Sequence, residues 1–134
     1  LAWLDEKLKS VKDKKVIIFM HHPAFPVGFK AMDQIRLANS ENFFEVLKRY
    51  RNVIHIVSGH IHRTISGHTH GYGFTIFKST CHQMPMQCDA DTVQLSARER
   101  GAYGILFLKP DGLIVHTEDF GPTVEGNKIF DSYG

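Results

Sequence analysis

Cysteine is scarce in this sequence, and its scarcity argues against one class of protein. The 134 residues include two cysteines, Cys81 and Cys88. Two are too few for the disulfide framework that stabilises small secreted domains. The sequence therefore predicts a reducing, cytoplasmic setting.

Long apolar runs and an excess of one charge sign are also missing. No apolar run approaches the roughly 20 residues that a membrane-spanning helix needs. Sixteen Lys and Arg against fourteen Asp and Glu leave a formal net charge of +2, and the basic residues form no stripe along the chain. We therefore expect no membrane span and no nucleic-acid partner. An apolar content of 43% is ordinary for one globular domain.

The apolar pattern that is present predicts an α/β fold, with a βαβ unit followed by β-hairpins. VIIFM (16–20) and VIHIV (53–57) are continuous apolar runs typical of buried strands. A helix over 41–51, with Ser40 as its N-cap, separates them. Strands joined in this way are expected to be parallel neighbours. Two hairpins are predicted at 63–79 and 102–120, and loops at 25–35 and 81–99.

Histidine is concentrated where the two predicted strands end. His21 and His22 follow the first strand, and His60 and His62 follow the second. The carboxyl ends of parallel neighbours meet at one sheet edge, so we expect these four side chains to converge. An extended backbone would place His60 and His62 on one face, about 6.5 Å apart at Cα. That spacing suits two metal ions about 3.5–4 Å apart, and imidazole favours Zn, Fe or Mn.

The pattern Ser-Gly-His-x-His occurs twice in SGHIHRTISGHTHG (58–71). His68 and His70, in the second copy, alternate with other residues along a predicted hairpin arm, so we expect a solvent-facing or interface pair rather than metal ligands. His55 and His116 are expected to be structural. A zinc site built from Cys81, His82 and Cys88 is a weaker alternative, because the cluster lacks a second ligand pair.

Three motifs resemble the calcineurin-like metallophosphoesterases, and most closely the class III cyclic-nucleotide phosphodiesterases of the CpdA type. They are MHHP (20–23), GHIHR (59–63) and STCHQ (79–83). The resemblance implies a four-layer αββα sandwich of which residues 1–134 are the C-terminal portion. It also implies a dinuclear Fe, Mn or Zn centre that hydrolyses a small phosphoester such as a 3',5'-cyclic nucleotide.

The same resemblance assigns roles to individual residues. His21 and His60 match ligands of one metal, and His62 matches a ligand of the other. His22 and Arg63 are candidates for the substrate side of the site.

The family's Asp-x-His, Gly-Asp and Gly-Asn-His-Asp/Glu motifs are absent from this sequence. Helical periodicity also starts at the first residue. We therefore expect a fragment that is inactive alone and whose uncovered edges favour a homodimer. Two alternatives stay open. One is a stand-alone module in which His21, His60 and His62 hold one zinc without hydrolysis, and the other is a non-catalytic interaction domain in which the histidines bind nothing.

Overall fold

The computed structural model describes residues 1–93 and 97–121, which form a mixed α/β structure. Part of the predicted 81–99 loop and the segment after Gly121 lie outside these residues. The elements are, in chain order, α1 (Ala2–Ser10), β1 (Val16–Met20), α2 (Lys30–Asp33), α3 (Ser40–Leu47), β2 (Val53–Ser58), β3 (Ile65–Thr69), β4 (Tyr72–Ile76), β5 (Gly101–Leu108) and β6 (Leu113–Phe120).

Strand β2 lies inside a four-stranded sheet of order β1-β2-β4-β3. It pairs in parallel with β1, where Met20 lies opposite Ser58, and in parallel with β4, where Ser58 lies opposite Ile76. The predicted parallel pair is therefore confirmed. Because parallel strands run in one direction, the carboxyl ends of β1, β2 and β4 share one edge of the sheet.

Helix α3 covers this sheet with its apolar face. Phe43, Phe44 and Leu47 are buried, and they join Ile56 of β2 in one hydrophobic cluster. Leu47 and Ile56 are fully buried, and burial of a side chain of this size contributes about 1.5–3 kcal/mol. The central strand is therefore held by apolar contacts as well as by its two ladders of hydrogen bonds.

Two local predictions are wrong. The N-cap of α3 is Asn39 rather than Ser40, and the helix ends at Leu47 rather than at Arg51. The last turn tightens, since Arg49 and Tyr50 donate backbone bonds three residues back, to Val46 and Leu47.

The segment 25–35, predicted to be a loop, contains the one-turn helix α2. The Asp33 carboxylate accepts bonds from the backbone N–H groups of Val27 and Gly28, at 2.7 and 3.1 Å. This local closure, which the one proline and one glycine of the segment did not reveal, stabilises the turn.

Strands β5 and β6 form a separate two-stranded antiparallel sheet, as predicted from the turn at Pro110 to Gly112. Its large apolar side chains are mostly exposed: Tyr103, Ile105, Phe107, Leu108, Ile114 and Phe120. The apolar surface expected of an uncovered sheet is therefore present, whereas the homodimer stays a prediction. No helix within the described residues is long and apolar enough to cross a bilayer.

Candidate metal centre

The chain brings its first two histidine groups together by joining the ends of β1 and β2. The Gly59 N–H donates to the carbonyl of His21 at 3.1 Å. A Cβ at position 59 would lie 3.6 Å from Nδ1 of the His21 ring, an ordinary van der Waals distance, so the ring packs directly over the Gly59 backbone. The residues that follow each strand are thereby fixed next to each other.

His21, His22 and His60 form a cluster whose candidate ligand nitrogens all lie within 4.8 Å of one another. The ring centroids of His22 and His60 are 4.2 Å apart, and those of His21 and His60 are 5.2 Å apart. Nε2 of His60 is buried and has no hydrogen-bond partner among the described residues. A buried polar atom without a partner is costly, and a metal ion is the partner that three converging imidazoles suit best.

His60 is electrostatically suited to bind a cation. Burial, and then the neighbouring rings of His22, His21 and His62, lower the pKa of His60 to about 4. The ring is therefore neutral near pH 7, so a metal ion would not have to displace a proton from it.

His62 lies beside this cluster and contacts His82. The two ring centroids are 4.6 Å apart, and Nδ1 of His62 lies 3.0 Å from the His82 carbonyl. Because a carbonyl only accepts, Nδ1 carries the hydrogen and Nε2 keeps its lone pair. Burial and the His82 ring lower the pKa of His62. Metal-ligating histidines commonly have this outer hydrogen bond.

The extended backbone predicted for His60 and His62 is wrong. Their φ angles are +66° and +56°, in the left-handed region that is uncommon for residues other than glycine. The Ile61 N–H donates to the Gly59 carbonyl at 2.7 Å, a two-residue span with His60 at its centre, as in a γ-turn. This sharp turn buries Ile61, which is 1% exposed. The burial of Ile61 in the core, rather than an extended strand backbone, therefore sets the direction of the two flanking imidazoles.

Curated proteins similar to this chain are phosphodiesterases. A probable cyclic nucleotide phosphodiesterase from Rhodopseudomonas palustris is 33% identical over 121 residues, covering 90% of the chain and 44% of that protein. These relatives are phosphodiesterases of the metallophosphoesterase family. The resemblance expected from the three motifs is confirmed.

Two further relatives differ in the substrate that their names give. The glycerophosphodiester phosphodiesterase GpdQ of Enterobacter lignolyticus is 32% identical, covering 69% of the chain and 33% of that protein. The 3',5'-cyclic adenosine monophosphate phosphodiesterase CpdA of Escherichia coli is 29% identical, covering 72% and 35%. The chain thus spans less than half the length of these relatives. No protein-family model matches it.

Arg63 is held by other groups of this chain. Its Nη1 donates to the Glu99 carboxylate at 2.6 Å and to the Met84 carbonyl at 3.1 Å. The arginine therefore holds the segment around Met84 in place. The contact between Arg63 and phosphate stays a prediction. His22, the other substrate-side candidate, lies within the histidine cluster.

The second motif copy lies apart from the cluster. His68 is an exposed residue of β3, and His70 is in the turn after it, with φ +51°. The His70 ring stacks on Phe44 of α3 with centroids 4.0 Å apart. The two rings therefore do not form the shared hairpin face that alternation predicts, because the turn redirects His70 towards the helix.

The other histidines and the cysteines have mainly structural contacts. Nε2 of His55 lies 3.0 Å from the Thr75 hydroxyl, and the His116 ring packs edge-on against Phe107. Sγ of Cys81 lies 3.1 Å from Nδ1 of His82. Across residues 1–93 and 97–121, the histidine cluster is the one group of three or more candidate ligands. The zinc alternative based on cysteine therefore gains no support.

His82 is the site residue that sequence reasoning missed. His82 lies within the STCHQ motif, but its contact with His62 spans 20 residues of sequence. The signal available in the sequence was a histidine inside a motif shared with the resembled family. Its partner became evident only from the fold.

Proposed function

We propose that this chain is part of a metal-dependent phosphodiesterase and supplies the imidazole side of its metal centre. The observation that carries the proposal is the convergence of His21, His22 and His60, with the buried Nε2 of His60 lacking a partner within residues 1–93 and 97–121. The phosphodiesterase names of the relatives support phosphoester hydrolysis as the reaction. They also support a small phosphodiester, such as a 3',5'-cyclic nucleotide, as the substrate.

The donor set fits a pair of transition-metal ions such as Fe, Mn or Zn. We assign His21 and His60 to one ion and His62 to its neighbour. When bound, such ions supply Lewis-acid stabilisation of the charge that develops on the phosphoryl oxygens.

The residues of the chain contribute orientation and charge state. The turn at Gly59 to Ile61 fixes the direction of His60. The His82 carbonyl accepts the hydrogen of Nδ1 of His62, which leaves the Nε2 lone pair available to a metal ion. His22 is exposed and touches both His21 and His60. It can therefore serve as a third nitrogen donor or face the substrate.

We further propose that residues 1–134 are the C-terminal portion of a four-layer αββα domain. The support is the short span relative to the relatives, together with the uncovered apolar side chains of β5 and β6. A ligand set of three or four imidazoles contains no carboxylate that could bridge two ions. The chain by itself is therefore expected to be inactive.

The test joins the chain to the part of the Rhodopseudomonas palustris relative that it does not match. The fusion is assayed with Mn on a cyclic nucleotide and on a generic phosphodiester. We expect hydrolysis that disappears in the fusion carrying His60→Ala and His62→Ala. Absence of activity in a folded, metal-loaded fusion, or activity that survives the double substitution, contradicts the proposal.

A stand-alone metal-binding module is the second candidate function, and one observation favours it. His21, His22 and His60 come together within this chain, without ligands from elsewhere. His22 is therefore grouped with His21 and His60, whereas the module expected from the sequence has His62 as its third ligand. One tightly bound ion per chain, with no hydrolysis in the fusion, would support the module over the enzyme.

A further inference from the structure

Gln83 is a polar side chain that is completely buried and has no part in the proposed chemistry. Its relative exposure is 0%. Its Oε1 accepts a bond from the Ser79 N–H at 3.0 Å, and its Nε2 donates to the carbonyls of Ser79 and Arg100, at 2.8 and 3.2 Å. The Gln83 backbone also exchanges two bonds with Ala97. The amide therefore satisfies the backbone of its own loop and connects that loop to the start of β5.

The loop that Gln83 anchors is the one that contacts His62. The neighbouring residue, His82, gives its carbonyl to Nδ1 of His62 and packs its ring against the same imidazole. On the other side of Gln83, the Met84 carbonyl accepts from Arg63, the residue after His62. The segment 82–84 is thus fixed from within by Gln83 and from the His62 side by Arg63.

We propose that Gln83 is a positioning residue for the metal centre: it holds the 79–84 loop so that the His82 carbonyl keeps the hydrogen of His62 on Nδ1 and its lone pair on Nε2. The proposal rests on the proposed role of His62 as a ligand. Gln83 touches neither metal nor substrate and acts only through His82.

The chemistry of the position favours an amide. The site needs one acceptor for the Ser79 N–H and donors for two carbonyls, and glutamine supplies both from one side chain. An ionised glutamate would lose the donors, and a methionine of similar length would lose every bond. Either change leaves backbone groups of the loop unpaired in a buried place, so the loop would be expected to shift.

The direct test reads the His62 tautomer in the metal-free chain by long-range proton–nitrogen NMR of the imidazoles. In the unsubstituted chain we expect the hydrogen on Nδ1. Gln83→Met should move His62 to a mixture of the two tautomers. His82→Ala, which removes the ring but keeps the carbonyl, should leave the hydrogen on Nδ1.

Two further variants keep the test decisive if Gln83→Met does not fold. Gln83→Asn keeps an amide but is one methylene too short to reach both carbonyls, so it should shift the tautomer in the same direction and by less. It decides the outcome if Gln83→Met does not fold. Thr75→Val removes the buried bond to His55 elsewhere in the sheet and should not change His62. If the His62 hydrogen stays on Nδ1 to the same extent as in the unsubstituted chain in folded Gln83→Met or folded Gln83→Asn, the proposal is overturned.

Cobalt binding to the fusion with the Rhodopseudomonas palustris segment gives the second readout. Gln83→Met in the fusion should weaken binding at the His62 position by about 10- to 100-fold, as is typical when a hydrogen-bond partner of a ligating histidine is lost, whereas Thr75→Val should not. Equal cobalt affinity in the Gln83→Met fusion and the unsubstituted fusion contradicts the positioning role. If the unsubstituted fusion binds no cobalt, the proposed metal centre fails, while the tautomer result in the metal-free chain still decides how Gln83 acts on His62.

Discussion

The two copies of Ser-Gly-His-x-His have nearly the same sequence and different structures. In the first copy, Ser58 ends a buried central strand and both histidines adopt left-handed backbone beside the His21 ring. In the second copy, His68 lies within an edge strand, and only His70, in a turn, has a positive φ. The residue between the histidines differs too, since Ile61 is apolar and buried whereas Thr69 is polar and only half-buried.

This difference shows that a short histidine motif becomes a candidate site through its position at a strand end. The first copy leaves the sheet at the edge where β1, which is directly followed by two histidines, also ends. The second copy continues a hairpin in which hydrogen bonds to β4 fix the backbone. Four tests, from the largest expected effect to the smallest, measure how far the two copies differ.

The largest effect is expected on metal binding. His60→Ala with His62→Ala should abolish binding of one equivalent of zinc or cobalt, because the double substitution removes the unpartnered Nε2 of His60 together with His62. Isothermal titration of the metal-free chain measures the change.

The matched control is His68→Ala with His70→Ala, which removes two imidazoles from the second copy and should leave metal binding intact. If both double variants lose metal equally, the two copies do not differ as ligands and the assignment of the centre is wrong.

The next effect is on stability. Ile61→Ala removes a fully buried side chain from the turn and should lower the free energy of unfolding by about 2–5 kcal/mol. Thr69→Ala, at the equivalent place in the second copy, should change it by about 0.5 kcal/mol or less. Urea unfolding of the metal-free chain checks both. A loss at Thr69 as large as that at Ile61 would mean that core burial does not separate the copies.

A smaller effect is expected on acid sensitivity. The pKa of His60 is lowered from its ordinary 6.5 to about 4 by burial and by the neighbouring rings, so the folded chain binds fewer protons than the unfolded chain between these values. The contribution of His60 is therefore present above pH 6.5 and is lost as pH falls towards 4.

Urea unfolding of the metal-free chain at several pH values measures this loss. His60→Gln should flatten the fall in stability between pH 6.5 and 4, whereas His68→Gln should keep the slope of the unsubstituted chain. Identical slopes in all three chains would show that His60 is not the group responsible.

The smallest effect concerns the second copy alone. His70→Ala removes the ring stacked on Phe44 and should lower the free energy of unfolding by about 0.5–1.5 kcal/mol. His68→Ala, which removes an exposed strand imidazole, should have almost no effect. Thermal and urea unfolding of the two variants give the comparison, and equal values would argue against a stabilising role for the stack.

Much of the fold was predictable because local patterns and parallel pairing agree. VIIFM and VIHIV form the expected parallel strands, and the turn at Pro110 to Gly112 closes the expected hairpin. The end of α3 and the helix α2 were not predictable, because each depends on specific backbone or carboxylate hydrogen bonds. Composition and periodicity do not encode such bonds.

The sequence by itself determined which histidines follow buried strands, and hence that His21, His22 and His60 meet at one sheet edge. It did so because apolar runs set the strands and chain direction sets which ends coincide. Only the tertiary structure decided the backbone of His60 and His62, the stacking of His70 and the contact between His62 and His82. The backbone of His60 and His62 depends on the burial of Ile61, the stacking of His70 depends on the turn that brings it to Phe44, and the contact with His82 depends on a loop anchored by Gln83. These are contacts between residues that the sequence pattern did not pair.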